Sequence, residues 1–320
     1  MTRETIDRVS DHRRGTRFVN PSGPALQPLT KVARMLREPS TPWPRYIDVP
    51  ASRPPALEGA AAAVTFIGHS TFLIQTKAGN LLTDPMYSRR AGPMNLAGPR
   101  RVREPAIRFD DLPPISTILL SHNHYDHCDL ATLRRLATRF DPLVVTPLGN
   151  KRLVRSAGIR RVEELDWWQD ASTGPLPIAL TPAQHFSARS PFDRNRALWG
   201  GFTLMVGGAR VYFAGDTAYA PFFHAIRERY GPIDLALLPI GAYEPRWFMQ
   251  AVHMNPAEAV QAHLDLGAAK SVGMHFGTFQ MTIEGIDAPE LALEHARRVN
   301  GIPPEQFRTL GFGESVRLEP

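Results

Sequence analysis

With one cysteine, Cys128, among 320 residues, an intrachain disulfide is excluded, so stability has to come from a packed core and from any bound metal. A reducing compartment fits. Lysine is scarce as well: it occurs only at positions 31, 77, 151 and 270, so the formal charge of +6 is carried almost wholly by arginine. Arginine favours phosphate and carboxylate groups, but these arginines are dispersed, as on a solvated basic surface. No window approaches the roughly 18 uninterrupted apolar residues of a membrane span. Met1 to Gly15 is charged and lacks the apolar stretch of a secretory signal. The expected location is cytoplasmic, with room for peripheral contact at the inner face of a membrane. Neither a solenoid period nor a low-complexity tract is present. There is no interleaved aromatic and basic strand motif and no nucleic-acid module, so no nucleic-acid partner is expected.

What is present reads as globular: 43% hydrophobic and 21% charged residues rule out disorder as the dominant state. Residues 1 to about 60 are rich in Pro, Arg and Ser and read as an extended arm packed on the domain, with one short helix near Lys31 to Arg37. Residues 61–320 read as a single domain. Apolar runs predict strands at Val64 to Ile67, Thr71 to Gln75, Asn80 to Thr83, Ser116 to Leu120 and Leu143 to Thr146. The series continues at Ile178 to Thr181, Phe202 to Val206, Val211 to Ala214, Leu235 to Leu238 and Ser271 to Met274. Helical patterns cover Ala131 to Thr138, Tyr219 to Arg229 and Pro256 to Leu266, and a further one starts near Asp287. The third has Asn255 as N-cap, Pro256 at the first position and Gly267 as its stop. The fold class is α/β, two packed mixed sheets flanked by helices.

Chemistry concentrates in Ser121-His122-Asn123-His124-Tyr125-Asp126-His127, which follows the apolar run Ile115 to Leu120. Imidazole and carboxylate suit a borderline divalent ion such as zinc, and iron or manganese can take the same donors. His185, Asp216 and His275 also leave predicted strand ends, as do His69 and Asp84. Two ions held roughly 3.5 to 4 Å apart need a bridging carboxylate and an open position for water. Asp216 is assigned as the bridge, His122, His124 and His185 to one ion, and Asp126, His127 and His275 to the other. Water activated there becomes the nucleophile, with Asp126 relaying its proton. His69 and Asp84 read as groups that orient the ligands. His253 lies beside a helix start and the segment Trp247, Phe248 and Met249. It is a second catalytic candidate, placed to bind a substrate oxygen or assist the leaving group. His12, His224, His263 and His295 are expected to have no catalytic part, and the Cys128 thiol is not required as a ligand.

These residues resemble the metallo-β-lactamase superfamily signature, His-x-His-x-Asp-His followed by a distant His, an Asp and a last His. The resemblance extends to the branch that includes N-acylphosphatidylethanolamine-hydrolysing phospholipase D. It rests on Arg17-Phe18-Val19-Asn20-Pro21, Gly68-His69-Ser70-Thr71, Leu82-Thr83-Asp84-Pro85, Pro182-Ala183-Gln184-His185, Ala214-Gly215-Asp216-Thr217, Gly241 to Met249 and His275 to Phe279. It implies an αββα sandwich and a dinuclear zinc phosphodiesterase that splits a membrane phospholipid into an N-acylethanolamine and phosphatidic acid. One departure is His253-Met254-Asn255-Pro256, where the phospholipase pattern reads His-x-Asp-Pro. Because fold does not fix substrate, a soluble hydrolase of esters, lactones or small phosphoesters is the alternative. The expected partner is a small-molecule or phospholipid substrate. Trp247 to Met249 is open to two roles, acyl-chain contact or core packing, and the oligomeric state is open.

Overall fold

Neighbouring residues of the strand Ile115–Leu119 face opposite ways: Leu119 points into the space between two sheets, while Ile118 packs outward among Leu133, Leu136 and Val154. The same alternation separates Phe72 and Ile74 from Leu73, and Val145 from Val144. These strands belong to a seven-stranded sheet in the order Ser315–Leu318, Ala62–Gly68, Thr71–Thr76, Gly79–Thr83, Ile115–Leu119, Leu143–Pro147 and Arg161–Leu165. A six-stranded sheet has the order Phe307–Thr309, Lys270–Met274, Leu235–Pro239, Ala209–Phe213, Gly201–Val206 and Ile178–Thr181. The structure is a computed structural model and describes residues 11–319 except Pro24 and Leu36; expectations for residues 1–10 lie outside the described residues.

Each sheet is antiparallel in one half and parallel in the other. The parallel runs are Gly79–Thr83 through Arg161–Leu165 and Ala209–Phe213 through Phe307–Thr309. Helices Leu130–Phe140 and Lys151–Ser156 cover the outside of the first sheet, and Phe222–Tyr230, Pro256–Asp265 and Ala288–Val299 cover the second. This is the αββα sandwich expected from the sequence.

The differences have local causes. Arg161–Leu165 and Ser315–Leu318 are edge strands, where charged residues guard the open ladder and mask the apolar signal. Phe307–Thr309 is too short to show a pattern. The helix expected from Tyr219 begins at Phe222 because Pro221 occupies its N-cap position. Trp247 to Met249 lie in a short helix, Arg246–Met249, covered by residues of the N-terminal segment. Trp247 Nε1 donates to Glu38 Oε1 at 2.6 Å, Arg34 stacks 4.3 Å over the indole, and Leu26 and Met35 pack with Phe248 against the cluster of Met249, Ala251 and Val252. The same segment donates from Trp43 Nε1 to Glu284 O at 2.8 Å and carries a short 3-10 turn, Leu29–Lys31, leading into the helix Val32–Met35. Among the described residues no helix is long and apolar enough to cross a membrane.

Candidate metal centre

Parallel neighbours end at the same edge of a sheet, so the loops that follow them are gathered without further constraint. Asp84 follows Gly79–Thr83 and the His122 to His127 loop follows Ile115–Leu119; Asp216 follows Ala209–Phe213 and His275 follows Lys270–Met274. Between the two sheets the approach is close. Gly200 N donates to Ser121 O at 3.1 Å, and Gly215 holds φ +60° where a Cβ would lie 2.6 Å from Ser121 Cβ. Only glycine combines that dihedral with that approach, and the residue it delivers is Asp216.

The structure brings all seven expected ligands together. The ring nitrogens of His122, His124 and His185 form one group: His122 Nε2 is 2.9 Å and His185 Nε2 3.2 Å from His124 Nδ1. Asp126, His127 and His275 form a second group, which His69 joins; His127 Nε2 and His275 Nε2 stand 3.2 and 3.3 Å from Asp126 Oδ2. Asp216 Oδ2 lies between the groups. It is 3.1 Å from His127 Nε2, 3.2 Å from His275 Nε2, 3.8 Å from His185 Nε2 and 3.9 Å from both His122 Nε2 and His253 Nε2.

Partners on the far side of the rings fix which nitrogen is bare. The Ser121 hydroxyl donates to Asp84 Oδ2 at 2.5 Å, so the contact of 2.9 Å between Ser121 Oγ and His122 Nδ1 must be donated by the ring. His127 Nδ1 donates to Asp84 Oδ2 at 2.7 Å, and His185 Nδ1 donates to Val252 O at 2.8 Å. In their neutral forms all three rings therefore turn an unprotonated Nε2 toward the cluster. Lone pairs that converge on carboxylate oxygen repel unless positive charge lies among them. Asp216 Oδ1 and His127 Nε2 are buried without a hydrogen-bond partner, although His127 Nε2 is so close to Asp216. Nitrogen and oxygen donors of this kind, orphaned and convergent, fit bound divalent metal.

Residues 79–276 match the β-lactamase superfamily domain. The chain belongs to this superfamily. N-acyl-phosphatidylethanolamine-hydrolyzing phospholipase D 1 of Caenorhabditis elegans is 39% identical over 229 residues, which is 68% of this chain and 64% of that protein. A metal-dependent hydrolase of Rubrobacter xylanophilus is 34% identical over 241 residues, 74% of this chain and 89% of the relative. The chain spans 64% of the length of curated relatives that it matches at 39% to 40% identity. Among solved structures, the diiron β-hydroxylase CmlA of Streptomyces venezuelae shares the fold, with a TM-score of 0.61 at 22% identity over 80% of this chain and 54% of that one.

Electrostatics at the cluster follow from burial and from two carboxylates. Burial, aided by neighbouring imidazoles, holds His122 well below its usual pKa and brings His124 to about 3. His185 falls to about 4 because burial outweighs the opposing pull of Asp216. All three are thus neutral and ligand-ready at pH 7. For Asp126 and Asp216, burial favours the acid, but His127 and the other imidazoles outweigh it and keep both well below the carboxylate range. Burial also opposes charge on His127 and His275, yet Asp216 and Asp126 raise the first well above its usual value and the second to about 9. Two buried carboxylates demand positive charge; in the metal-free protein these protons supply it, and metal binding would release them.

His69 has a different part. Its Nε2 donates to Asp126 Oδ2 at 2.9 Å, which aims the carboxylate, and its backbone is locked at φ 58° between Thr278 Oγ1 and His275 N. His253 sits in the ring of histidines, buried, with Nδ1 unpartnered. Its loop is fixed by Arg246, which donates to His253 O at 2.9 Å and pairs with both oxygens of Glu258, the residue that completes a capping box with Asn255. The four histidines expected to be uninvolved lie elsewhere: His12 stacks on Trp167 and contacts Asp166, His224 meets Asp265 and His263 meets Ser271, while His295 lies on the helix Ala288–Val299. Cys128 is buried behind the loop, where burial pushes its thiol up to about 12. Sequence reasoning missed Ser121 and Asn20. Asn20 Nδ2 donates to His185 O at 2.8 Å, and its Oδ1 accepts from His185 N at 3.3 Å. The segment Arg17 to Pro21 that contains it was the available signal.

Proposed function

We propose that this hydrolase is a dinuclear phosphodiesterase of phospholipase D type, acting on N-acylphosphatidylethanolamine or a related phospholipid. One observation carries the reading: two separate donor groups share a single carboxylate oxygen, Asp216 Oδ2, within 3.9 Å of histidines from both. His122, His124 and His185 would hold one cation, Asp126, His127 and His275 the other, and Asp216 both. Bound there, divalent cations supply Lewis acidity toward a phosphoryl group and an activated water; the donors suit zinc, and also iron or manganese. Asp126, whose Oδ2 accepts from His69, would relay a proton from the nucleophile while remaining a ligand. His253, neutral because burial keeps its pKa well below the usual value, offers a ring N–H to a substrate oxygen. The activity for which the nematode relative is named supports the substrate class, and 39% identity makes a phosphodiester the first substrate to test.

The test is a panel on metal-analysed enzyme: N-acylphosphatidylethanolamine, a soluble aryl phosphodiester and a lactone. Release of N-acylethanolamine and phosphatidic acid is expected. Turnover of the lactone with no cleavage of either phosphodiester overturns the reading in favour of a soluble ester or lactone hydrolase. Asp216→Ala should lose metal and turnover together, and full activity in a folded variant removes the bridge. His253→Ala should lower turnover with metal content near normal; equal metal loss would make His253 a ligand, as its grouping with His185 and Asp216 permits.

A further inference from the structure

Three large apolar side chains stand in water on loops beside the metal-binding loop: Met94 is 84% exposed, Leu96 75% and Phe192 80%. Met94 and Leu96 crown the loop Ala91 to Gly98. Its neck is tight: Ala91 N donates to Pro99 O at 3.0 Å, and a Cβ on Gly98, at φ +82°, would lie 2.1 Å from Ala91 O. Met94 and Asn95 both take left-handed backbone, φ 51° and 59°, unusual for methionine. Phe192 crowns a second turn, tied by Asp193 Oδ1 accepting from Arg189 N at 3.0 Å and Ser190 N at 2.8 Å. Both tips are therefore shaped by the fold.

The two loops that carry them border one cleft. A cleft of about 320 Å³ is lined by Gly92, Met94 and Asn95 from the first loop and by Arg189 from the second, with Tyr125 of the metal loop between them. Arg189 lies 3.9 Å over the Tyr125 ring, and Tyr125 OH donates to Arg189 O at 2.9 Å. The charge around the tips is predominantly positive. Residues 85–103 hold five arginines and no acidic residue. Arg89, Arg100 and Arg196 are exposed, as is Arg17, which donates to Arg194 O beside the second turn. The carboxylates of Asp129 and Asp193 are occupied by backbone N–H groups, and Asp129 also by the Thr132 hydroxyl. By contrast, exposed Leu291 lies on a helix beside Glu290 and Glu294.

We infer that the tips Met94, Leu96 and Phe192, collared by Arg89, Arg100 and Arg196, dock the enzyme on an anionic lipid bilayer with the metal loop facing the surface. Apolar tips enter the acyl boundary while arginines meet the headgroup phosphates, the two attractions that together hold a peripheral surface on anionic lipid. Nucleic acid would satisfy the arginines and leave the tips exposed, which is why a bilayer fits better. The inference deepens the phospholipid reading and rests on it for the substrate alone.

The experiment is co-sedimentation of the metal-loaded full chain with vesicles of pure phosphatidylcholine and of phosphatidylcholine with phosphatidylglycerol, at low and high salt. Binding is expected on the anionic vesicles, weakened by salt. The triple variant M94S/L96S/F192S should lose partitioning by on the order of 100-fold, with unchanged melting temperature and metal content. R89Q/R100Q/R196Q should lose the preference for anionic vesicles. Equal binding of the serine variant and the wild type, or no binding to anionic vesicles, overturns the proposal. So does salt-sensitive binding to an oligonucleotide together with failure to bind vesicles. Hydrolysis of detergent-dispersed phospholipid without vesicle binding sinks the docking surface and spares the function; vesicle binding without phosphodiester cleavage does the reverse.

Discussion

Asp84 touches no expected substrate position, yet Asp84→Asn should cripple both metal groups. The carboxylate is fully buried and accepts three times: from Ser121 N at 2.7 Å on Oδ1, and from the Ser121 hydroxyl at 2.5 Å and His127 Nδ1 at 2.7 Å on Oδ2. An amide can accept on one side only. If its oxygen stays with the backbone N–H, its NH2 faces two donors. The Ser121 hydroxyl must then turn and donate to His122 Nδ1, and His127 Nδ1 must give up its proton. Both rings become Nε2–H tautomers that aim a hydrogen at the cation positions. Loss of one outer partner typically costs 10- to 100-fold in metal affinity, about 1.4 to 2.8 kcal/mol. With one ring in each group affected, at least the upper end, on the order of 100-fold, is expected. Competitive chelator titration measures it. Ser121→Ala should fall between wild type and D84N, because it removes the acceptor for His122 and leaves His127 with Asp84. A D84N protein that folds and holds metal with wild-type affinity would refute the tautomer argument, and so would a serine variant weaker than D84N.

Metal-free protein should lose stability as the pH rises from 6.5 toward 9. The sign follows from His275, whose folded pKa is raised to about 9 because Asp216 and Asp126 outweigh burial: its contribution is complete below the unfolded value and disappears as pH passes the folded one. Thermal melts across that window check it, and the fall should shrink in the metal-loaded enzyme; a flat metal-free profile contradicts it. Gly215→Ala should destabilise by about 2 kcal/mol or more, from a φ of +60° and a Cβ 2.6 Å from Ser121 Cβ. Urea denaturation with an unchanged midpoint would show that the contact between the sheets relaxes freely.

The cluster of histidines and aspartates was legible because its residue types are rare, close in sequence and placed directly after an apolar run that reads as a buried strand. His185, Asp216 and His275 were legible for a topological reason: each follows a strand, and ligands from two sheets meet wherever parallel strands end at one edge. The capping box of the helix Pro256–Asp265 was half visible in Asn255 and Glu258. Ser121 was present in the motif yet silent, since its role depends on Asp84, 37 residues away, to orient its proton. The same limit hid where the N-terminal arm packs. Nothing local to Trp247 or Phe248 reveals that Glu38, Arg34, Leu26 and Met35 cover them, and an aromatic-apolar run reads alike whether its cover is protein or lipid.

That last ambiguity has a physical resolution in the loops. Apolar side chains with protein partners lose most of their exposure, as Met249 has at 8%, whereas Met94 and Phe192 retain four-fifths of theirs. Sequence left Trp247 to Met249 open to either role because hydrophobic density is highest where the chain packs against itself. A residue meant for an external partner is an isolated one, set between glycines, prolines and arginines that keep it from collapsing onto the core. Gly92-Pro93-Met94-Asn95-Leu96-Ala97-Gly98 has this character, and so does Arg189-Ser190-Pro191-Phe192-Asp193-Arg194. If vesicle binding fails when these tips become serine and survives when Trp247 is changed, isolation rather than density marks the contact surface of this chain.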